Sequence, residues 1–587
     1  MMCGMLLGAG VVSKKTYVDD IFSTYVYTGT GSARSINNGV DLSGEGGLVW
    51  TKQRDGTGVH KIFDTVRGAD ESFETHNNNQ SWKDDSGTIY LSAFNNNGFS
   101  FGSGHANTNA SSDTYTSWSL RKAPGLLDIV EWDGDGNTGR GISHSLGSVP
   151  GLIIIKQTDG NQQWMVYHKS QGSGKYLVLS SNASWVSSNF MDDGIDPTST
   201  TFYLSGHNYV NGSSKSYIAY VFAGGESLAT TARSVDFDGN DRLRLVNAGA
   251  DINPENGDFT WECWIKPDNW SGTYMALWGM SSNGLWIGKN DSNFVVRHSG
   301  VGDLIQVSTF PEIGQWTHVA VTRSGTTLKL FYNGIEQKSV TNSTSFATLT
   351  TVTIADGADG SGYFDGKISN LRFVKGTAVY TESFRPPTEP LTNITNTKLL
   401  CCNNSSTTGA TVSPVSIYSD GDPIARTDSP FDDPAGFKFG EAGDQGAIKC
   451  GSYIGNGSST GPEVYLGWEP QWILLKRSSG GTGNWAMFDC MRGLVTGGND
   501  PVLQPDLTDA EYTTTQYLDV TPTGFKLKGS FNQSNADGDT YVFLCIRRSD
   551  GYVGKPPELG TGVFTTAASN SGSKPGFTSG FPVDFYL

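Results

Sequence analysis

Two patterns of apolar spacing run along the chain. The first is an unbroken apolar run: LGSVPGLIIIK at 146–156 sets Leu152, Ile153, Ile154 and Ile155 side by side, closed by Lys156. Four consecutive apolar residues between turn residues predict a strand covered on both faces. The string returns as LGWEPQWILLK at 466–476 and, more faintly, as LSGEGGLVWTK at 42–52. The second pattern is alternation. In GDFTWECWIKP, Phe259, Trp261, Cys263 and Ile265 alternate with Thr260, Glu262, Trp264 and Lys266, which predicts a half-buried strand with the first set toward the core.

The recurring string organises much of the chain. Ahead of each copy stands an aromatic-x-Gly-x-Gly signature: Tyr27, Gly29 and Gly31, then Trp132, Gly134 and Gly136, then Tyr453, Gly455 and Gly457. After it, KIFDTVRG at 61–68 parallels AMFDCMRG at 486–493, with WMVYHKS at 164–170 between them. NASSDTYTSWSLR at 109–121 parallels NADGDTYVFLCIR at 535–547, and NGSSKSYIAYVFA closes the middle copy. A unit of ~100 residues is of domain size, too long for a solenoid repeat. Short apolar runs separated by Gly/Asn/Asp turns are the mark of antiparallel hairpins. The chain therefore divides into a docking segment at 1–24, β repeat domains at 25–122, 123–226 and 446–548, a distinct insert at 232–402, a linker at 403–445, and at 549–587 a linker leading into the start of a fourth copy. Pro582 stands there where Pro150 and Pro470 stand. A lone opening strand would expose a sheet edge, so either the natural chain continues past Leu587 or a neighbour completes it. The fold class expected is all-β: tandem β-sandwich repeats plus one jelly-roll sandwich.

Inside the insert, SVDFDGNDRLRL precedes the alternating strand, GQWTHVAVTRSGTTLKLFYNGIEQ reads as a hairpin turning at Ser324 and Gly325, and GYFDGKISNLRF closes the set. These four ordered segments resemble the laminin G-like branch of the concanavalin A-like lectin/glucanase sandwiches. The trailing KGTAVYTESFRPPTEPL is similar to the end of such copies in phage virion proteins. The flanking units, through DDIFSTYVYTGTG, GVDLSGEGGLVWTK, FDTVRG, SWSLRKAPG, ISHSLGSVPG and YIAYVFAGG, resemble a domain of unknown function that recurs in tail-fibre and other structural proteins of marine bacteriophages, cyanophages included. The resemblance implies a virion setting and supplies no catalytic residues.

Composition narrows the picture in three places. Gly 75 with 17% charged residues favours turns and strands over helices. A formal charge of -17 argues against nucleic acid, whose binding rests on Lys and Arg displacing counterions, and gives no steering toward anionic membranes. Seven cysteines, Cys3, Cys263, Cys401, Cys402, Cys450, Cys490 and Cys545, show no C-x-x-C spacing and read as reduced, mostly buried thiols. The opening MMCGMLLGAGVV is too short to span a bilayer and lacks signal-peptide flanks, which favours a buried or docking segment.

Several motifs suggest chemistry, and each has a plainer reading. GDGNTG at 134–139 satisfies G-x-G-x-x-G, yet no helical period follows to aim N–H groups at a pyrophosphate. GSSTG at 457–461 satisfies G-x-S-x-G, and Ser459 sits in a turn rather than a strand-to-helix elbow. Glu131, Asp133 and Asp135 evoke a glycosidase pair but belong to the repeat's own turn. Glu255, Glu262, Glu312 and Glu336 of the insert form no close acidic motif, and no H-E-x-x-H zinc pattern occurs among the eight histidines. DGDGNTG fails as an EF-hand at Thr138 and His144. Calcium stays open at the insert's rim, where Asp236, Asp238 and Asp241 in DFDGND, and Asp356 and Asp359 in DGADG, offer oxygens. No other cofactor is indicated. Sugar contact is expected at Trp264, placed opposite the core set, with Trp270 and Trp286 as lesser positions and Trp278 nearby, against the plainer reading of buried core aromatics.

The expectation for function is a non-enzymatic virion structural protein, a tail fibre or tail appendage presenting a lectin-like domain to a host-surface glycan or protein. A capsid decoration protein and a polysaccharide-degrading fibre are the alternatives. Its partners would be other virion proteins and further copies of itself, a trimer by family analogy, with no nucleic acid and no membrane insertion. It would be assembled in the host cytoplasm and end on the virion surface.

Overall fold

The computed structural model describes residues 15–549 apart from 84–89, 189, 192–194, 226–230, 281–282, 347–350, 358–359, 361, 388, 427, 432–438 and 441–444. The fourth-copy opening lies outside the described residues, as do Cys3 and Asp359. Of the docking segment only 15–24 is described; there Val18 and Ile21 are fully buried and Thr16 bridges Phe439. Nearly every element is a strand, and no helix among the described residues is long and apolar enough to cross a membrane.

Each repeat copy is a sandwich of a larger and a smaller antiparallel sheet. In the first, the larger sheet runs in the order Phe22–Thr28, Thr114–Arg121, Gly47–Gln53, Lys61–Asp64, Gly68–Glu74, Trp82–Lys83. The second repeats that order with Leu127–Asp133, Ser216–Ala223, Pro150–Gln157, Met165–His168, Lys175–Val178 and Val186–Ser187, and the third with Ile448–Ile454, Thr540–Arg547, Pro470–Arg477 and Ala486–Asp489.

The signature residues lock the same loop in all three. Tyr27, Trp132 and Tyr453 donate to the carbonyls of Thr108 (2.7 Å), Val210 (3.0 Å) and Ser534 (2.5 Å). Each stacks on Tyr115, Tyr217 or Tyr541, with centroids 5.3, 5.6 and 5.1 Å apart. A Cβ on Gly29, Gly134 or Gly455 would run into the carbonyl of Ala110, Gly212 or Ala536, so the first glycine is required by close backbone approach. The second is required by conformation: Gly31, Gly136 and Gly457 have φ of 69°, 76° and 62°. Asn109, Asn211 and Asn535, all fully buried, tie the loop from below.

The three copies do not hang as beads on a string. They close into a ring around one apolar core. Along each central strand, alternate residues face opposite ways: Val49, Ile473 and Leu475 enter their own sandwich cores, while Leu48, Trp50, Leu152, Ile154, Trp472 and Leu474 enter a core common to all three copies. The two-faced burial predicted for LIIIK is therefore real, and the second face is covered by sister copies.

The junctions repeat head to tail. Lys52, buried in copy one, donates to the Thr508 carbonyl of copy three at 3.3 Å. Lys156 of copy two donates to Asn78 of copy one at 3.1 Å, and Lys476 of copy three to Ala183 of copy two at 2.8 Å. One position further round the sheet, Trp164 bonds the Asn77 carbonyl (3.0 Å) and Trp485 the Val178 carbonyl (3.0 Å), while His60 of copy one is buried there and accepts from Trp50 of its own copy (3.0 Å). Trp118 donates to Asp489 (2.9 Å), Tyr220 to Asp64 (2.8 Å), and His168 pairs with the Phe543 carbonyl (3.1 Å). A heterologous contact used three times that returns to its start makes a closed pseudo-threefold body. Copies closed into a ring do not extend reach as tandem sandwiches strung end to end would.

The insert leaves this ring where the chain can return to it, since Cys450 N donates to Gly224 O at 3.0 Å. It is a two-sheet sandwich. One sheet runs in the order Ile335–Thr341, Thr327–Tyr332, Thr317–Ser324, Phe259–Pro267, Asp365–Lys375, Ser234–Asp238, Ile424–Arg426, flanked by Thr397–Cys401 and Ala410–Val412. The other runs Gly302–Val307, Asn293–His298, Leu285–Asn290, Tyr274–Met280, Thr351–Ile354, Arg242–Val246, Ile417–Asp420. Residues 403–445 are thus not merely a linker: Ala410–Val412, Ile417–Asp420 and Ile424–Arg426 belong to the sandwich. Among the described residues all six cysteines are free, five of them buried.

Candidate functional site

At one rim of the insert, three carboxylates converge. Asp238 ends the strand Ser234–Asp238, Asp241 follows its turn, and Asp422 comes from the turn after Ile417–Asp420. Their nearest oxygens all lie within 4.8 Å of one another, with Asp241 buried and the other two exposed. Asp241 accepts the backbone N–H groups of Asp238 (3.2 Å) and Asp422 (2.8 Å), which fixes the arrangement. Burial, reinforced by the Asp238 and Asp422 charges, pushes the Asp241 carboxyl up. A hard divalent cation relieves such crowding, and calcium–oxygen distances of about 2.3–2.6 Å match ligand oxygens this close together. The cluster offers three of the roughly six to eight oxygens that calcium takes, so it is a candidate calcium site that water or further carbonyls would have to complete. Asp236, expected as a third ligand, is corrected: Lys367 (3.2 Å) and Arg426 (3.0 Å) neutralise it, and Asp422 takes its place. Asp356 is buried in an ion pair with Arg242 (2.9 Å). Adding calcium to saturation at ~100 times its dissociation constant is expected to stabilise the insert by about 2.7 kcal/mol, and Asp241→Asn to abolish the rise in unfolding temperature measured by calorimetry.

The tryptophans expected to meet sugar are placed otherwise. Trp264 is fully buried on the face opposite the core, as the alternation predicted, but that face is not open. Its ring packs on Tyr465 of the third repeat copy (centroids 4.7 Å), Phe431 (5.9 Å) and His318 (5.2 Å). Trp264 is thus the docking residue that joins insert to ring, in a cluster with Trp316 and Ala232. Trp270 donates to the Pro311 carbonyl (2.8 Å) and wedges among Phe294, Phe310 and Phe364. Trp286 is 8% exposed, against Ala276 and Val295, and Trp278 lies in the sandwich core. Trp264, Trp278 and Trp286 are buried, and Trp270 is half-buried.

The rest of that face is covered too. Residues 377–387 cross it as a strap: Val379 N donates to Thr260 Oγ1 (2.8 Å), Phe384 N to Gly334 O (2.9 Å), and Thr322 Oγ1 to Tyr380 O (2.9 Å). Beneath it Glu262, fully buried, accepts from Arg372 Nη2 (2.7 Å) and Tyr380 OH (2.9 Å) and pairs with His318 Nε2 (3.2 Å). Burial works to raise the Glu262 carboxyl; the His318 hydrogen bond and the Arg372 charge outweigh it and hold the group below its ordinary range. This network was invisible as a spacing motif because its members come from three strands and the strap.

The repeat motifs are structural. Asp135 accepts Asn137 N (2.9 Å) and Asn211 Nδ2 (2.8 Å) within the signature loop, and Glu131 and Asp133 are exposed along the strand Leu127–Asp133. GSSTG forms an exposed turn in which Ser458 and Thr460 hydroxyls meet at 3.0 Å.

Residues 237–379 match the concanavalin A-like lectin/glucanases superfamily, the class to which this two-sheet sandwich and its acidic rim point. Residues 18–232 and 391–549, together well over half of the chain, match the family described as Domain of unknown function (DUF7483), and the chain belongs to that family. Its match breaks where the lectin-like sandwich enters. No curated protein matches the chain. Similar solved structures include a putative carbohydrate binding protein from Bacteroides ovatus (12% identity, covering 70% of this chain and 97% of that chain, TM-score 0.27). A native heptameric SAP-like pentraxin from Limulus polyphemus (17%, 34% and 97%, TM-score 0.24) and domains LG4-5 of the mouse laminin alpha1 chain (13%, 46% and 97%, TM-score 0.21) are others.

Proposed function

We propose that the chain is a non-enzymatic binding protein of a virion surface, a tail fibre or tail appendage, in which a rigid three-copy ring presents a lectin-like sandwich to host glycans. The observation that carries this reading is the mounting of the sandwich. A lectin-like domain is fixed to a closed ring through the buried Trp264–Tyr465 contact and the bonds from Gln315 to the Ser452 carbonyl (3.1 Å) and from Arg385 to the Gly467 carbonyl (3.3 Å), so its free rim keeps one orientation relative to whatever holds the ring. Rim loops on a rigid scaffold are where binding surfaces are built, and several copies on one particle would convert weak sugar contacts into avidity. The sealing of Glu262, His318, Arg372 and Tyr380 under the strap supports the non-enzymatic side, because those acid–base groups have no open cleft above them. Recognition then falls to the exposed rim around Asp238 and Asp422, with calcium as its bridging ion.

A glycan array probed with the full chain, with calcium and with chelator, tests the reading, alongside a reducing-end assay on any glycan bound and antibody labelling of particles. Calcium-dependent binding without product release, and label at the tail, are the expected results. Release of reducing ends would replace the reading with a degrading fibre, label on the capsid lattice with a decoration protein, and absence of any glycan binding would end the lectin assignment.

A further inference from the structure

A second binding site stands apart from the rim. Where the insert, the second copy and the third copy meet there is a cavity of about 330 Å³. At ~30 Å³ per liquid water it holds on the order of ten waters, the space of one compact ligand. Its walls carry Lys266 and Lys367 from the insert, Lys169 from copy two and Lys449 from copy three, against a single lining carboxylate, Asp428. In a chain of net charge -17 this is a local inversion of sign.

The wall groups are held in place. Asp428 accepts from Lys266 (3.1 Å) and from the Trp316 indole N–H (3.3 Å). Lys367 reaches back to Asp236 (3.2 Å) and Asp268 (3.9 Å) behind the wall. With those two counted, the ammonium groups still outnumber the carboxylates. Asp428 itself reports the potential. Its side chain is 38% exposed; partial burial works to raise the carboxyl, yet Lys266, Lys367 and Lys169 hold it below the ordinary carboxylate range. Positive potential at that wall thus exceeds the cost of burying negative charge.

We propose that this junction cavity binds a compact hydroxylated anion of monosaccharide size, a sugar bearing a carboxylate, sulfate or phosphate group. Lys266 and Lys169, which also donate to Asp428 (3.1 Å) and the Gly224 carbonyl (3.1 Å), take the anionic group, while Lys449, donating to the Pro430 (3.1 Å) and Leu466 (3.4 Å) carbonyls, and Lys367, paired behind the wall, add positive charge around it. Gln315 and Ser452, with the carbonyl and N–H groups of the glycine-lined wall, suit hydroxyls, and the Trp316 and Tyr465 rings suit a C–H face. The site needs all three bodies, so ligand occupancy would also clamp the insert to the ring. It does not rest on the rim reading, since it uses none of the rim's carboxylates.

Isothermal titration of the full chain with D-galacturonate, sodium sulfate and D-galactose tests this. Galacturonate is expected to bind, sulfate to compete with it, and galactose not to bind. Ser452→Asp sets a carboxylate at the wall without breaking an existing ion pair and is expected to weaken galacturonate at least tenfold; Lys266→Met is expected to do the same, with circular dichroism confirming the fold of both. Absence of galacturonate binding, equal binding of galactose, or binding that survives Ser452→Asp in a folded protein would each overturn the proposal. Sulfate binding without galacturonate binding would overturn the sugar part of it.

Discussion

Replacing Ile154 by aspartate is expected to unfold all three repeat copies at once and leave the insert folded. Ile154 is 2% exposed in the core shared by the copies, on the strand face turned away from its own sandwich. An unpaired carboxylate in that position costs several kcal/mol, a large fraction of the ~5–15 kcal/mol by which a folded domain is stable. If the copies were independent, only the second would suffer, and the first and third would keep their transitions. Differential scanning calorimetry separates the outcomes, because the insert has its own core of Val235, Phe237, Trp261, Trp278 and their neighbours and should keep its own transition.

Arg372→Met is the second large effect. It removes the guanidinium charge from the fully buried Glu262 and leaves only the His318 and Tyr380 bonds; breaking such a buried pair typically costs about 3–5 kcal/mol. The pH dependence carries the signature. In the native protein the folded-state pKa of Glu262 is depressed, so its contribution is present above the unfolded value near 4.5 and is lost as pH falls through the lower folded value. In the variant the Arg372 charge and hydrogen bond no longer oppose burial, only the His318 and Tyr380 bonds remain, and the folded pKa rises relative to the native protein. The carboxylate then destabilises the insert at neutral pH, and acidification toward 5 should recover stability. Urea unfolding of the insert at pH 7 and pH 5 is expected to show the variant gaining on acidification relative to the native protein. A variant that loses stability in parallel with the native protein would show that Arg372 does not hold this charge.

How far the sequence announced this structure depends on the range of the contact. The three copies and their glycine signatures were legible because each copy repeats them, although only the positive φ at Gly136 is a local cause: Trp132 caps the Val210 carbonyl and Gly134 packs on Gly212, both far along the chain. The alternation at Phe259–Pro267 told which face of the strand is core. It could not tell that the other face is also covered, because the strap arrives from residues 377–387 and Tyr465 from another domain. Trp264 is the sharpest case. Its placement opposite the core was correct, and the conclusion that it therefore meets sugar failed on a partner two hundred residues away in the chain. The same limit applies to calcium ligands: Asp238 and Asp241 are neighbours in sequence, whereas Asp422 joins them only through the pairing of Arg242–Val246 with Ile417–Asp420. Ring closure was likewise hidden, since Lys52, Lys156 and Lys476 show their recurrence in the sequence and their acceptors only in the fold.

The central claim is that the three copies share one core and so form a single rigid mount for the lectin-like sandwich. Native-state hydrogen exchange tests it most directly. Amides of Gly47–Gln53, Pro150–Gln157 and Pro470–Arg477 are expected to exchange through one opening with a common free energy and a common dependence on denaturant. Three separate opening energies, with one copy exchanging freely while the others stay protected, would contradict it.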